Sequence, residues 1–303
     1  MSTPCMILLM DIQFFWYMII GLAGLVFGSF AGASVWRLRA RQLVEDKKLG
    51  HPYSKKEYER LLKLTKNGVT SDRSRCLACN HVLEWYDLIP IVSWAWAKGK
   101  CRYCKKPIGW FEPAIEVLTA GLFVGVYHSL SNNGSGIEAL LLMLAITVGM
   151  MILFFYDLKW LLLPNVVMWV VIALSAIWWV RLALLSADAG VLSIATGWSL
   201  VILPGLYLAL WLISKGQWVG FGDIKLGLAL ALLLADWRLA LLTLFLANLI
   251  GTIIVIPGIL SKKLGRQSQV PFGPLLIAGF FIAFLYGGGL VNWYMGLMNG
   301  FVV

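Results

Sequence analysis

Two aspartates and four cysteines carry the chemistry that this sequence could perform. Asp223 stands in "WVGFGDIKL", residues 218–226, at the head of a long apolar run. Two glycines, Gly220 and Gly222, precede it, and Lys225 follows two residues on. Asp157 stands in "FFYDLKWLLLPN", residues 154–165, again between apolar segments. A charged Asp deep in a bilayer costs about 2.5–3.5 kcal/mol on insertion scales, so such residues are functional candidates by default. A lone interfacial Asp could simply flank a helix; a pair, one of them in a GxGD pattern, shifts the balance. Two neighbouring carboxylates do not both ionise cheaply, so one keeps a proton and the other does not. The ionised partner can deprotonate water while the other donates to a carbonyl oxygen, which is the chemistry of aspartyl peptide-bond hydrolysis. Glycines at 220 and 222 would let the backbone bend and allow a substrate strand to approach closely. At a helix start, the Asp223 carboxylate could accept from free N–H groups.

The cysteines read "CLAC" and "CRYC": Cys76, Cys79, Cys101 and Cys104, with 21 residues between the pairs. Each CxxC turn can aim two thiolates at one tetrahedral ion. The surrounding segment is too short for much core of its own, so a metal could supply folding energy. In a reducing compartment zinc outranks disulfides. Four thiolates leave no open coordination position, which makes the zinc structural. His81 is a bystander beside a completed site, and Cys5 is a lone thiol.

The elements that must position these residues are membrane helices. The chain is 60% hydrophobic and 13% charged over 303 residues. Soluble domains carry roughly 45–50% apolar and about 25% charged residues. Apolar runs long enough to cross a bilayer recur along the sequence. The expected fold is an all-α polytopic membrane protein with about eight transmembrane helices, near 13–36, 113–130, 138–156, 162–184, 191–213, 224–236, 239–260 and 273–297. The run at 224–236 is short. The expected organisation is a first span within 1–36, a basic cytoplasmic segment with the zinc loop over 37–112, and a seven-span membrane domain over 113–303 that carries both aspartates.

The net charge of +10 is concentrated between Arg37 and Lys106, which hold 17 Lys/Arg and 7 Asp/Glu; the remainder sums to zero. The basic balance therefore describes one polar segment and does not indicate nucleic acid. The positive-inside bias puts that segment in the cytoplasm and the N-terminus outside. Asp157 and Asp223 then share the cytoplasmic membrane face, each expected to begin a helix. The stretch "SKKEYERLLKLTK" reads as a short charged helix capped by Ser54. Trp85, Trp94, Trp96 and Trp110 read as interfacial anchors.

Several blocks, in this order and spacing, resemble the type IV prepilin leader peptidases. They are "FGSFAGASVWRL" (27–38), "CLACNHVLEWYDLIPIVSWAWAKGKCRYCKKPIGWFEPAIEVLTA" (76–120), "YDLKWLLLPN", "GFGDIKL" and "VPFGPLLIAGF" (270–280). The resemblance implies an intramembrane aspartyl protease of the bacterial inner membrane with Asp157 and Asp223 as its catalytic pair. Its implied substrates are prepilins and pseudopilins, cut after a short basic leader. It also implies methylation of the new N-terminal amine from S-adenosylmethionine, with Glu112 and Glu116, one helical turn apart, matching or flanking acidic family positions. Asn165 stands where the family commonly has Asp. Two other readings stay open: a related leader peptidase without methyl transfer, and a zinc-ribbon transporter or assembly scaffold. Deep in the spans there are no further acidic groups to form a proton pathway, which argues against transport. The sequence does not specify the oligomeric state.

Overall fold

A computed structural model describes residues 3–65, 73–261 and 270–300, apart from the side chains of 3–12 and 298–300. Cys5 and the end of the predicted charged helix at Lys66 therefore fall outside what is described. Among the described residues there are no strands, only two isolated bridges beside the cysteine turns. The chain divides into two compact units, Met1–His128 and Ser129–Val303.

In the first unit, helix α1 (Thr3–Leu49) runs well beyond the span expected to end near 36. Between Arg37 and Leu49 the sequence contains neither Gly nor Pro and consists mostly of good helix formers, so nothing stops the helix at the polar boundary. It ends at Gly50, which takes a left-handed φ of +72°, with Lys47 and Lys48 in the last turn where the helix dipole favours them. The polar extension has a small core of its own. Ala40 and Leu43 pack with Leu61 and Leu64 from α2 (Lys55–Leu61) and the 3₁₀ turn that follows it. Ser54 caps α2 as its sequence predicts, its hydroxyl accepting from the Glu57 N–H. Arg39 clamps Glu57 at 2.8 Å. After the cysteine loop and the one-turn helix α3 (Val92–Trp96) comes α4 (Phe111–Asn132). It packs tightly on α1: a Cβ at Gly24 would lie 2.5 Å from Ala120 Cα, and one at Gly28 would lie 2.7 Å from Glu116 Cα. Small residues four apart allow this backbone approach where lipid supplies no hydrophobic drive.

The second unit contains α5 (Ile137–Trp160), α6 (Asn165–Leu185), α7 (Ala189–Leu200), a π turn over Val201–Gly205, α8 (Leu206–Ser214), α9 (Phe221–Leu234), α10 (Trp237–Leu260) and α11 (Phe272–Gly300). Among the described residues, seven helical segments are long and apolar enough to cross a membrane, counting α7 through α8 as one. The eighth expected span, α9, has only 14 residues. It is enclosed by protein instead of lipid: Leu226, Ala229, Leu230, Ala231 and Leu233 are buried. Its Gly227 sits directly against Pro204 of the π turn, where a Cβ would lie 3.1 Å from the proline nitrogen. The proline removes a helical hydrogen bond, and the widened turn absorbs the defect. The tight turn between α9 and α10 is made by left-handed Ala235 and by Asp236, whose carboxylate accepts from the Arg238 N–H at 2.8 Å.

Candidate active site

Asp157 lies in the last turn of α5, a correction to the expectation that it begins a helix. Leu161 closes α5 in the left-handed region, its N–H returning to the Asp157 carbonyl at 2.8 Å. A carboxylate at a helix C-terminus faces unsatisfied carbonyls and is poorly placed. The fold compensates from elsewhere: the N–H of Gly273, in the first turn of α11, donates to Asp157 Oδ2 at 3.1 Å. This is the positive end of another helix, aimed at the buried carboxylate. The approach needs glycine, because a Cβ at 273 would stand 2.8 Å from that oxygen.

Asp223 occupies the first turn of α9, as expected for the residue after GxG. Gly220 is the N-cap, its carbonyl accepting from the Asp223 N–H at 3.1 Å. Leu163, in the connection from α5 to α6, links the surroundings of both acids. A Cβ at Gly222 would lie 3.0 Å from Leu163 Cδ1, and a Cβ at Gly273 would lie 3.5 Å from Leu163 Cδ2. The two carboxylates interact electrostatically. Two acids 66 residues apart in sequence, one in a C-terminal turn and one in an N-terminal turn, thus share one neighbourhood around Leu163. Such a pair can hold one proton between them and act on water and a carbonyl together.

Lys225 turns away from this pair. Its Nζ donates to Asn165 Oδ1 at 2.8 Å and lies over the rings of Trp169 and Phe221 at 5.3 and 5.2 Å. It fastens the start of α9 to the start of α6. Gly273 and Leu163 were not singled out from sequence. The "PFG" that opens α11 is the signal for the first; Leu163 carries none, being one leucine among three in a row.

In the first unit the four cysteines converge. Their sulfurs lie within 4.8 Å of one another, Cys76 to Cys104 being 4.0 Å. A tetrahedral zinc with bonds near 2.3 Å needs sulfurs roughly 3.8 Å apart, so this cage fits the ion after slight contraction. Each CxxC turn closes in the same way. The Asn80 N–H bonds the Cys76 carbonyl at 2.8 Å, and the Lys105 N–H bonds the Cys101 carbonyl at 2.9 Å. Both Asn80 and Lys105 are left-handed, at φ 61° and 59°. Burial pushes the Cys76 thiol up to about 12, whereas the Lys106 backbone N–H pulls Cys104 down to about 7. A divalent cation overrides such differences, since a coordinating thiol is deprotonated outright. His81 is not in the cage; its ring packs on Tyr103 at 3.6 Å.

Glu112 and Glu116 lie on α4 and face other parts of the same unit. Glu112 Oε1 accepts from Trp36 Nε1 at 3.2 Å. Glu116 is buried and accepts from the Ile91 N–H at 2.8 Å. It thereby holds the cysteine loop at a residue with the unusual φ of 58°. Both carboxylates line a cavity of about 220 Å³ within this unit, together with Trp36, Arg37, Trp94 and Tyr103. Acids, guanidinium and aromatic faces in one space form a donor set suited to a cationic ligand that carries a ring and a carboxylate.

Residues 22–130 match the model of the bacterial peptidase A24 N-terminal domain, and residues 144–256 match that of the type IV leader peptidase family. Three relatives are each named prepilin leader peptidase/N-methyltransferase. That of Aeromonas hydrophila is 33% identical over 74% of this chain and 74% of its own length. That of Bacillus subtilis is 30% identical over 77% and 89%, and that of Legionella pneumophila 29% identical over 95% and 98%. No solved structure matches.

Proposed function

The chain belongs to the type IV prepilin leader peptidases, and from that premise we propose how its residues divide the work. It is a multi-pass membrane aspartyl endopeptidase that removes the leader from prepilins and pseudopilins, with Asp157 and Asp223 as the catalytic pair. The observation that carries this reading is the convergence of the two acids around Leu163, each served by a different helix end. The ionised member takes a proton from water as its oxygen bonds to the scissile carbonyl carbon. The protonated member gives its proton to the carbonyl oxygen. Collapse of the tetrahedral adduct then breaks the C–N bond, and the departing amine takes up a proton from the pair. Gly220 leaves room for an extended chain beside α9, Gly222 lets that helix seat against Leu163, and Lys225 holds it in place through Asn165.

The acids and the cysteine loop work at the cytoplasmic face. Of 25 basic residues, 23 fall on that side when the N-terminus lies outside. The functional division follows the sequence: a first span within 1–36, the cytoplasmic segment 37–112, and the catalytic membrane domain 113–303. Cys76, Cys79, Cys101 and Cys104 hold a structural Zn²⁺ that folds the loop.

The second activity is methylation of the amine that cleavage exposes. S-adenosylmethionine supplies the methyl group as an electrophile on a sulfonium. Trp36, Arg37, Glu112 and Glu116 line the cavity that would hold it. Their carboxylates and rings favour a cation, and Arg37 pairs with a carboxylate.

Purified enzyme is incubated with a prepilin, with and without S-adenosylmethionine, and the mass of the new N-terminus is measured. Leader loss in both reactions and a 14 Da gain only with the cofactor (roughly one CH₂, as in a methyl for hydrogen exchange) are expected. Asp157→Asn and Asp223→Asn are expected to remain inserted and cut nothing. Full cleavage by either variant would remove the assignment of the pair.

A further inference from the structure

Tyr207, in the first turn of α8, is buried, and its hydroxyl oxygen has no hydrogen-bond partner among the described residues. A buried serine or threonine can return its hydroxyl to its own helix, but a phenol projects too far and must find a tertiary partner. An unmet hydroxyl in such a place is destabilising and calls for a reason.

Its surroundings supply one. The Tyr207 ring meets Phe272 edge-on, with centroids 5.3 Å apart. Phe272 precedes Gly273, the residue whose N–H holds Asp157. On its other side, Tyr207 follows the π turn at Pro204, against which Gly227 of α9 is seated one turn beyond Asp223. Asp223 is close enough to act on Tyr207 electrostatically. The tyrosine is therefore tied to the mounts of both acids, and π turns of this kind are frequent at functional sites.

We infer that Tyr207 is a third catalytic residue, its hydroxyl donating a hydrogen bond to the oxygen of the scissile peptide group when substrate occupies the aspartate pair. The inference rests on the assignment of Asp157 and Asp223 given above. The phenolic proton stays on Tyr207 throughout. No bond to it breaks; it shares the charge that develops on the oxygen while the protonated aspartate delivers its proton. Among the described residues the donor has no partner, and the acceptor that completes it arrives with the substrate.

Tyr207→Phe tests this directly, since it removes the hydroxyl and keeps the ring against Phe272. The expected result is a fall in kcat of roughly 100-fold, the usual loss for one donor to a reacting oxygen. KM for prepilin is expected to change little. Thermal stability is expected to hold or rise, because an unmet buried group has gone. Biosynthetic incorporation of 3-fluorotyrosine at 207, which restores a hydroxyl, returns the rate. Affinity for a hydroxyl-bearing transition-state mimic falls by the same factor as kcat/KM. A wild-type rate in Tyr207→Phe overturns the proposal. So does a variant that is slow only because it melts or fails to fold, since that would make the hydroxyl a structural group. Asp157→Asn and Asp223→Asn are assayed alongside. If they still cleave, the pair itself is misassigned; if they do not and Tyr207→Phe cleaves normally, only the role of Tyr207 falls.

Discussion

Gly273→Ala is a one-carbon change 116 residues from Asp157 in sequence, yet it strikes that carboxylate. The added Cβ would lie 2.8 Å from Asp157 Oδ2 and 3.4 Å from its carboxyl carbon. That is closer than carbon and oxygen pack without bonding, so the carboxylate or the start of α11 must shift. Either movement stretches the 3.1 Å bond from the Gly273 N–H. Hydrogen bonds to charged groups are worth about 1.5–3 kcal/mol, and displacement of about 1 Å at a reacting group can cost ~100-fold. A fall in kcat/KM of about 10- to 100-fold is expected on these grounds. Two other glycines calibrate the argument. A Cβ at Gly220 meets Asp223 Oδ2 at an ordinary 3.5 Å, and the residue has a φ of −74° that alanine adopts freely. Gly220→Ala should therefore leave Asp223 in place, and its loss should appear as a higher KM, where the methyl narrows the path of the extended chain. At Gly222 the added Cβ would meet Leu163 Cδ1 at 3.0 Å, which can turn aside, and Leu163 Cβ at 3.2 Å, which must give by a few tenths of an ångström. Gly222→Ala should fall between the other two in kcat. The assay is initial rates of leader removal by purified proteins in lipid nanodiscs, with melting temperatures measured in parallel. A Gly273→Ala enzyme with the wild-type rate, or one slower only in proportion to unfolded protein, would refute the reasoning.

Replacing Cys76 or Cys101 by Ser should take zinc content, measured by plasma mass spectrometry, from near one per chain to well below it, and should expose the cysteine loop to proteolysis; unchanged metal would contradict the cage. Asn165→Asp converts the Lys225 contact from an ion–dipole hydrogen bond to an ion pair, with an expected gain of about 0.5–1 kcal/mol in thermal unfolding and little change in cleavage. An unchanged or lowered melting temperature would count against that contact. Glu112→Gln should weaken S-adenosylmethionine binding, read by calorimetry, and slow methylation at least about ten-fold, the scale of one charge-assisted contact, while leader cleavage proceeds; equal affinity in variant and wild type would place the cofactor elsewhere.

The parts of the site that depend on residue type and local spacing were legible in the sequence. Asp223 behind two glycines, the two CxxC turns and the Ser54 cap all announce themselves within a few residues. What depended on distant contacts was not. Asp157 reads from sequence as beginning a helix; only the left-handed turn at Leu161 assigns it to the end of α5. Gly273 meets Asp157 where α11 packs on α5, and Tyr207 of α8 lies against Phe272; "PFG" marks the glycine, but no local pattern names either partner. The length of α1 was underestimated for another reason. A change from apolar to charged residues marks where a helix leaves lipid, and only Gly50 marks where it stops.

The 14 residues of α9 span only about 21 Å at 1.5 Å per residue, against a hydrocarbon layer of about 30 Å. About 9 Å of that depth is thus beyond the reach of this helix. A hydrolase embedded in oil must admit its own reagent, and it must host a peptide backbone that has come unwound and lost its internal bonds. A helix that stops short answers to that need, because it leaves depth that no turn of α9 occupies.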